Sequence, residues 1–165
     1  VDMAGPYIYA SIVCVTKKDS EQAKATGISD LSGSCTAQTG TIWYDTCLPQ
    51  AAEVAEIEIM PQSEDAPAMI MAVESGTVDF ICTDMPTAMG AVAKDDSLVI
   101  LNFSGTDGDF QFATEEERAE NVNIGISVQK GNTTLLEAMD AVLSQMDADD
   151  FNAIMAYAIS VQPEI

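Results

Sequence analysis

The sequence has no histidine and few positive charges. Its 165 residues include 6 Lys and Arg against 27 Asp and Glu, which gives a net charge of −21. The absence of histidine excludes Ser–His and Cys–His catalysis and removes the commonest metal ligand. Because no basic stripe is available to neutralise phosphates, we expect no nucleic-acid partner. No apolar run reaches the roughly 18 residues that span a bilayer, and we expect any signal peptide to be absent already.

Sequence signatures of cofactor sites are also absent. Neither GxxxxGK[ST] nor GxGxxG occurs, so the chain has no phosphate-binding loop of these types. The four cysteines, Cys14, Cys35, Cys47 and Cys82, contain no CxxC spacing, which is unfavourable for zinc. We therefore predict no metal and no cofactor. An even number of cysteines permits disulfides, but buried strand-like segments also use free cysteine as a small apolar residue, and the sequence does not choose between the three possible pairings.

Strand and helix patterns alternate along most of the chain. Short apolar or alternating segments such as EIEIM and VDFICTD are separated by helical patterns such as APAMIMAVESG and PTAMGAVAKDD. Strands that alternate with helices at this spacing predict an α/β fold with a mostly parallel sheet covered on its faces. The composition changes at GTDGDFQFATEEERAENVN, a candidate linker or surface excursion, before the pattern of one more strand and two helices.

Two features at predicted strand ends could bind a ligand. In QTGTIW, residues 38–43, a strand ends at Gly40 and a helix begins at Thr41, so free N–H groups and the Thr41 hydroxyl could hold a carboxylate. Asp84 ends the strand of VDFICTD and could bind an ammonium group. Each residue has a simpler interpretation, since Thr and Asp are common helix N-caps. Together, a carboxylate site and an ammonium site at one sheet edge describe an α-amino acid. Trp43 follows the anion site and could line a pocket, although core packing is the more frequent role of such a residue.

Four passages resemble one family. VDMAGPYIYASIVCVTKKDS, ISDLSGSCTAQTGT, ESGTVDFICTDMPTAM and NIGISVQKGNTTLLEAMDAVLSQM are similar, in the same order, to passages of the extracytoplasmic solute-binding proteins of amino-acid ABC importers. These are bacterial extracellular solute-binding proteins of family 3, with the type II periplasmic-binding-protein fold. The resemblance implies that Thr41 and the backbone of Gly40 and Ile42 bind a ligand carboxylate, that Asp84 binds the α-amino group, and that Gln38 contacts the ligand side chain. Ile42 stands where the family often has a polar residue.

The resemblance also implies a two-lobed architecture. It predicts a first crossover or hinge segment at 1–10, a complete α/β lobe at 11–98, a second crossover with a surface excursion at 99–121, and the C-terminal part of the other lobe at 122–165. The N-terminal half of that other lobe has no counterpart, so we expect it to expose half a core unless a longer product or a second chain completes it.

The resemblance implies a function without catalysis. A small polar amino acid would be captured by hinge closure in the periplasm, or at the cell surface by a lipid-anchored protein, and delivered to a membrane permease. Alternatives are the ligand-sensing domain of a membrane receptor, a domain fused to a permease, a dehydratase-type enzyme on the same fold, and an interaction domain that has lost the site.

Overall fold

The computed structural model describes residues 1–161, so the last four residues of the predicted segment 122–165 lie outside the described part. The chain divides into two compact units. One contains Ser11–Phe112, and the other combines Val1–Ala10 with the chain from Ala113 onward. The predicted division into hinge segments and lobes stays a prediction.

The Ser11–Phe112 unit alternates strands and helices. The first strand of the chain, β1 (Asp2–Ile8), belongs to the other unit. The elements of this unit are β2 (Ile12–Lys17), β3 (Ser32–Thr36), a π-helix (Trp43–Cys47), α1 (Leu48–Val54), β4 (Glu56–Ile59), α2 (Ala66–Glu74), β5 (Phe80–Asp84), α3 (Met85–Lys94) and β6 (Leu98–Leu101). Short 3-10 turns at Glu21–Lys24 and Ile28–Asp30 connect β2 to β3. The helical segment changes type near Pro49, where the π-helix gives way to α1 with the proline in its first turn.

These strands form one five-stranded sheet in the order β4-β3-β5-β2-β6. β3 is parallel to both β4 and β5, whereas β2 is antiparallel to both β5 and β6. Four strands therefore point the same way and β2 is reversed. The predicted α/β class is confirmed, and the sheet is mixed because β2, the first strand of the unit, enters it against the direction of its neighbours.

The core of this unit lies on both faces of the central strands. Five consecutive residues of β2, from Ile12 to Thr16, and four of β5, from Phe80 to Thr83, are buried. The π-helix packs on β5, α1 packs on β4, and α2 and α3 pack on β2 and β5. Strands covered on both faces carry continuous apolar runs instead of alternation, which explains the composition of VDFICTD.

The second unit is built on a two-stranded antiparallel sheet of β1 (Asp2–Ile8) and β7 (Ile124–Val128). Its helices are α4 (Glu115–Val122), α5 (Thr133–Leu143) and α6 (Ala148–Ser160). α5 packs on β1, and the Asp140 carboxylate accepts a hydrogen bond from the Gly5 amide at 2.9 Å. The acidic segment TEEERAE, part of the candidate linker or surface excursion, forms most of α4 with Thr114 as its N-cap.

This unit leaves apolar side chains in solvent, as predicted for an incomplete lobe. No residue of α5 is fully buried, and Leu135 and Val142 on α5 are exposed, as are Ile154 and Tyr157 on α6. A two-stranded sheet with helices on it offers little area for a core. The apolar side chains of α5 are therefore only partly covered.

The excess of acidic charge predicts that salt stabilises the chain. Lys24 and Glu21 form an ion pair at 2.9 Å, but the sequence has 27 acidic residues against 6 basic ones, so basic side chains are too few to pair with most of the carboxylates. Because 1 M salt shortens the screening length from about 10 Å at 0.1 M to about 3 Å, repulsion in the compact state should weaken. We expect the melting temperature, followed by circular dichroism, to rise between 10 mM and 1 M NaCl.

The control for this prediction is sucrose at the same osmolality, which stabilises proteins without screening charge. An increase that sucrose reproduces in full, or a melting temperature independent of NaCl, would contradict the charge-repulsion account.

Candidate functional site

The candidate site lies at the edge of the five-stranded sheet where β3 and β5 end. These strands are adjacent and parallel, with Cys35 opposite Phe80 and Thr36 opposite Ile81. Their carboxyl ends therefore reach the same edge, and ligands of open α/β sheets bind outside that edge. The loop 37–41 follows β3 there, and Asp84 is the last residue of β5. The two candidate features predicted from the sequence thus come from neighbouring strand ends of one unit.

Asp84 is the N-cap of α3. Its Oδ1 accepts a hydrogen bond from the Thr87 amide at 2.7 Å, and the residue is half-buried. The structure therefore confirms the simpler interpretation of Asp84 as a helix cap. A carboxylate has further acceptor positions, and among the described residues no Lys or Arg forms an ion pair with it. Oδ2 has no hydrogen-bond donor in that part of the chain, so a ligand ammonium group can use it. The role of Asp84 in ligand binding stays a prediction.

The loop 37–41 is fixed by the segment after β4. Gln38 forms a parallel bridge with Ser63, the Thr39 amide donates to the Ser63 carbonyl at 2.9 Å, and the Ser63 amide donates to the Ala37 carbonyl at 3.0 Å. Gly40 then has a φ of +68°, in the left-handed region that favours glycine. These contacts turn the chain sharply from β3 into the helical segment.

The amide groups of this turn are the donors that the site offers. In the described part of the chain, the Gly40 and Thr41 amides donate to no backbone carbonyl. Ile42 is at the N-cap position of the π-helix, and its apolar side chain accepts no hydrogen bond from the amides of the first turn. Free amides at the start of a helical segment that continues through α1 carry partial positive charge and suit a carboxylate.

The Thr41 hydroxyl already forms a hydrogen bond within the protein. Its Oγ1 donates to the Gln38 carbonyl at 2.7 Å. A hydroxyl has one proton, so in this conformation Thr41 has no hydroxyl donor left for a ligand. Direct hydrogen bonding of a ligand carboxylate by the Thr41 hydroxyl therefore requires the hydroxyl to rotate away from Gln38. The binding of a carboxylate depends first on the backbone amides.

The other predicted site residues lie on the same loop and helix start. Gln38, Ile42 and Trp43 are half-buried, while Gly40 is exposed. Gln38 takes part in the bridge through its backbone, so its side chain is left for other contacts. The structure brings these residues to the edge where Asp84 lies, and their contacts with a ligand stay predictions.

Sequence reasoning missed the residues that hold the site in place. Ser63 fixes the loop through backbone groups, and the Ser11 carbonyl accepts the Met85 amide at 3.0 Å beside Asp84. The Tyr44 hydroxyl donates to the Met60 carbonyl at 3.1 Å and ties the π-helix to the end of β4. Backbone contacts leave no residue-type signal, and the only indication of Ser63 was that it follows Pro61 at the end of a predicted strand.

The acidic and thiol side chains of the described residues were compared with the arrangements that metals and disulfides require. Within residues 1–161, no group of three His, Cys, Asp or Glu side chains is arranged to hold a metal ion. All four cysteines are free thiols buried in the Ser11–Phe112 unit. Over the same residues, no helix has both the length and the apolar character needed to cross a bilayer.

Comparison with known proteins gives structural neighbours only. No protein-family model and no curated protein sequence matches the chain. Among solved structures, it is similar to the amino acid ABC transporter substrate-binding protein AbpA from Streptococcus pneumoniae bound to L-arginine, with a TM-score of 0.68 and 19% identity over 96% of this chain and 61% of that one.

Two further structural neighbours are also related to amino-acid-binding proteins. A glycine-to-alanine mutant of arginine-bound ArgBP from T. maritima has a TM-score of 0.63 and 26% identity, over 89% of this chain and 60% of that one. The ancestral amino-acid-binding protein AncCDT-1, a precursor of cyclohexadienyl dehydratase, has a TM-score of 0.66 and 24% identity, over 95% of this chain and 61% of that one.

Other solved chains that match include an ancestral arginine-binding protein bound to arginine and the substrate binding protein of an amino acid ABC transporter. The resemblance seen in the sequence is thus confirmed by structural similarity at the level of the fold. The chain spans about three fifths of the length of these proteins, with 60% and 61% covered in the cases above. Its fold is therefore that of the amino-acid substrate-binding proteins of ABC transporters, the type II periplasmic-binding-protein fold.

Proposed function

We propose that the chain binds a small polar amino acid through both of its α-groups. The ligand carboxylate accepts hydrogen bonds from the Gly40 and Thr41 amides, and the ligand ammonium donates to Asp84. One observation carries the proposal: unpaired amides and an acidic side chain without a cationic partner lie at the ends of two adjacent parallel strands. Their chemistry is complementary to the two charges of an α-amino acid.

The charge of the chain favours a neutral or basic ligand. With a net charge of −21, the protein repels anions and attracts cations at long range. AbpA and the T. maritima protein are both described with arginine bound, which agrees with this preference. Trp43 and Gln38, half-buried beside the amides, are the side chains we assign to the ligand side chain.

Delivery to a permease is part of the same proposal. The fold is that of proteins that work with ABC transporters, so we assign the chain an extracytoplasmic location, a membrane permease as partner, and capture without covalent chemistry. The exposed apolar residues of α5 and α6 support completion of their unit by polypeptide outside these 165 residues, in the same product or in a second chain. Hinge closure around the ligand, and a role as the sensing domain of a receptor or permease fusion, stay predictions.

An enzymatic role is the second candidate, because one neighbour is a precursor of a dehydratase. Formation of product from a prephenate-type or arogenate-type substrate would establish it. Binding without turnover is what we expect, since the candidate site offers amides and the single carboxylate of Asp84 as its chemical groups.

The proposal predicts stabilisation by specific amino acids. We expect a thermal-shift panel of the twenty amino acids, each at millimolar excess, to raise the melting temperature for one or a few of them. A ligand at about a thousand times its dissociation constant adds about 4 kcal/mol of stability, which corresponds to a shift on the order of 10 °C. A uniform response across the panel would contradict specific binding by this chain.

Substitutions of Asp84 can separate its role as the N-cap of α3 from its proposed role in binding the ligand ammonium group. Asp84→Asn keeps an N-cap acceptor for the Thr87 amide but removes the charge, so unfolding in urea should be nearly unchanged. Affinity for the amino acid, measured by titration calorimetry, should fall about 10- to 150-fold, the range expected for losing a hydrogen bond to a charged group. Asp84→Ala should lose the same affinity and in addition about 1 kcal/mol of stability.

The matched control is Asp147→Asn, a carboxylate N-cap of α6 in the other unit. It makes the same chemical change at a helix start outside the candidate site, so affinity should stay at the wild-type value. Equal affinities of wild type and Asp84→Asn would remove Asp84 from the binding site.

A further inference from the structure

Two of the four buried cysteines lie directly opposite each other. Cys14 on β2 and Cys82 on β5 are partners in the antiparallel register, and both side chains are completely buried. The other two cysteines have different positions: Cys35 on β3 lies opposite Phe80, and Cys47 is the last residue of the π-helix.

Cys14 and Cys82 form a non-hydrogen-bonded pair, the type of antiparallel pair in which the two Cα atoms are closer together. The Met85 amide donates to the Ser11 carbonyl at 3.0 Å, which makes Ser11 and Met85 a hydrogen-bonded pair. The register then continues without a shift from Ile12 opposite Asp84 to Thr16 opposite Phe80. Hydrogen-bonded and non-hydrogen-bonded pairs alternate along an antiparallel ladder. Cys14 and Cys82, three positions further on, are therefore a non-hydrogen-bonded pair.

This pair type brings side chains within bonding reach. Cα atoms of non-hydrogen-bonded pairs are about 4.5 Å apart, which falls inside the span of about 4.4 to 6.8 Å that disulfides bridge. We propose that Cys14 and Cys82 form a disulfide when the chain folds in the presence of a disulfide oxidant such as oxidised glutathione, while Cys35 and Cys47 remain thiols. The sequence alone left all three pairings open. The strand register favours Cys14 as the partner of Cys82, and Cys47, whose thiol also contacts the Cys82 thiol, is the competing partner.

The reaction is a thiol–disulfide exchange. The thiolate of one cysteine attacks oxidised glutathione and releases one reduced glutathione, leaving a mixed disulfide on the protein. The thiolate of the second cysteine then attacks the protein sulfur of that mixed disulfide and releases the second reduced glutathione. Two protein thiols are oxidised to one disulfide, and one oxidised glutathione is reduced to two thiols.

Burial decides when this exchange takes place. Both side chains are inaccessible in the folded chain, and burial raises the pKa of the Cys82 thiol well above its ordinary value. Burial likewise raises the pKa of Cys35 to about 12. Exchange needs an accessible thiolate, so it proceeds before β2 and β5 have closed and stops afterwards. The folded thiol form is consequently inert to the oxidant, and the disulfide form resists reductants.

The bond joins the two strands just behind the candidate site. Cys82 is two residues before Asp84 on β5, and Cys14 is two residues after Ile12, the partner of Asp84. It also closes the long loop between residues 14 and 82, which restricts the unfolded chain. The proposal needs no ligand, so it stands or fails separately from the proposed function.

The test compares two preparations of the chain. One is denatured, reduced and refolded in oxidised and reduced glutathione, and the other is kept folded and reduced before the same buffer is added. Both are then denatured and alkylated with iodoacetamide. They are next digested with a protease that cleaves the chain on the C-terminal side of Asp and Glu. Asp19, Asp45 and Glu53 separate the four cysteines, so each pairing gives distinct linked peptides in mass spectrometry.

We expect the refolded chain to be 2 Da lighter before alkylation, with Cys14 linked to Cys82, and to melt at a higher temperature than the reduced chain. The chain kept folded should carry four alkylated cysteines. Cys35→Ala should keep the linked peptide and Cys14→Ala should lose it. Four free thiols after refolding, a linkage to Cys47 or Cys35, or rapid oxidation of the folded chain would overturn the proposal. If refolding gives a low yield, the same peptide mapping is applied to the protein after its export to a bacterial periplasm, and that result decides which cysteines are linked.

Discussion

The parallel pairing of β3 with β5 is the constraint on which the candidate site depends. Parallel neighbours end at the same edge, so the loop after β3 and the last residue of β5 both lie at that edge of the sheet. β4 extends the same arrangement, and its following segment fixes the loop through Ser63. The site is thus assembled by backbone pairing, and its side chains, Asp84 above all, are placed by the strands that carry them.

Asp84 shows how one residue can serve structure and function together. A carboxylate at a helix start satisfies a free amide and interacts favourably with the helix dipole, which stabilises the fold. The same carboxylate keeps a second oxygen, Oδ2, without a hydrogen-bond donor in the described chain, and the residue is half-buried. The cap holds the side chain in one orientation, so a ligand ammonium would meet an acceptor that is already positioned.

Much of the fold could be predicted from the sequence, because its helices and strands follow local patterns. EIEIM alternates, PTAMGAVAKDD begins with a proline after an Asp cap, and these became β4 and α3. The reversed direction of β2 could not be predicted, since strand direction depends on pairing between distant residues. The π-helix and the engaged Thr41 hydroxyl were also invisible, because both depend on hydrogen-bond geometry that residue type does not encode. The predicted roles of the site residues came from the resemblance to a family, and the position of these residues at one sheet edge came from the structure.

The most direct test of the account is whether binding requires both α-groups of the amino acid. Titration calorimetry would compare the amino acid that stabilises the chain most with its analogue lacking the carboxylate and its analogue lacking the amine. The account predicts that each analogue binds at least about tenfold more weakly, because each leaves either the Gly40 and Thr41 amides or Asp84 without a charged partner. Equal binding of both analogues would contradict it.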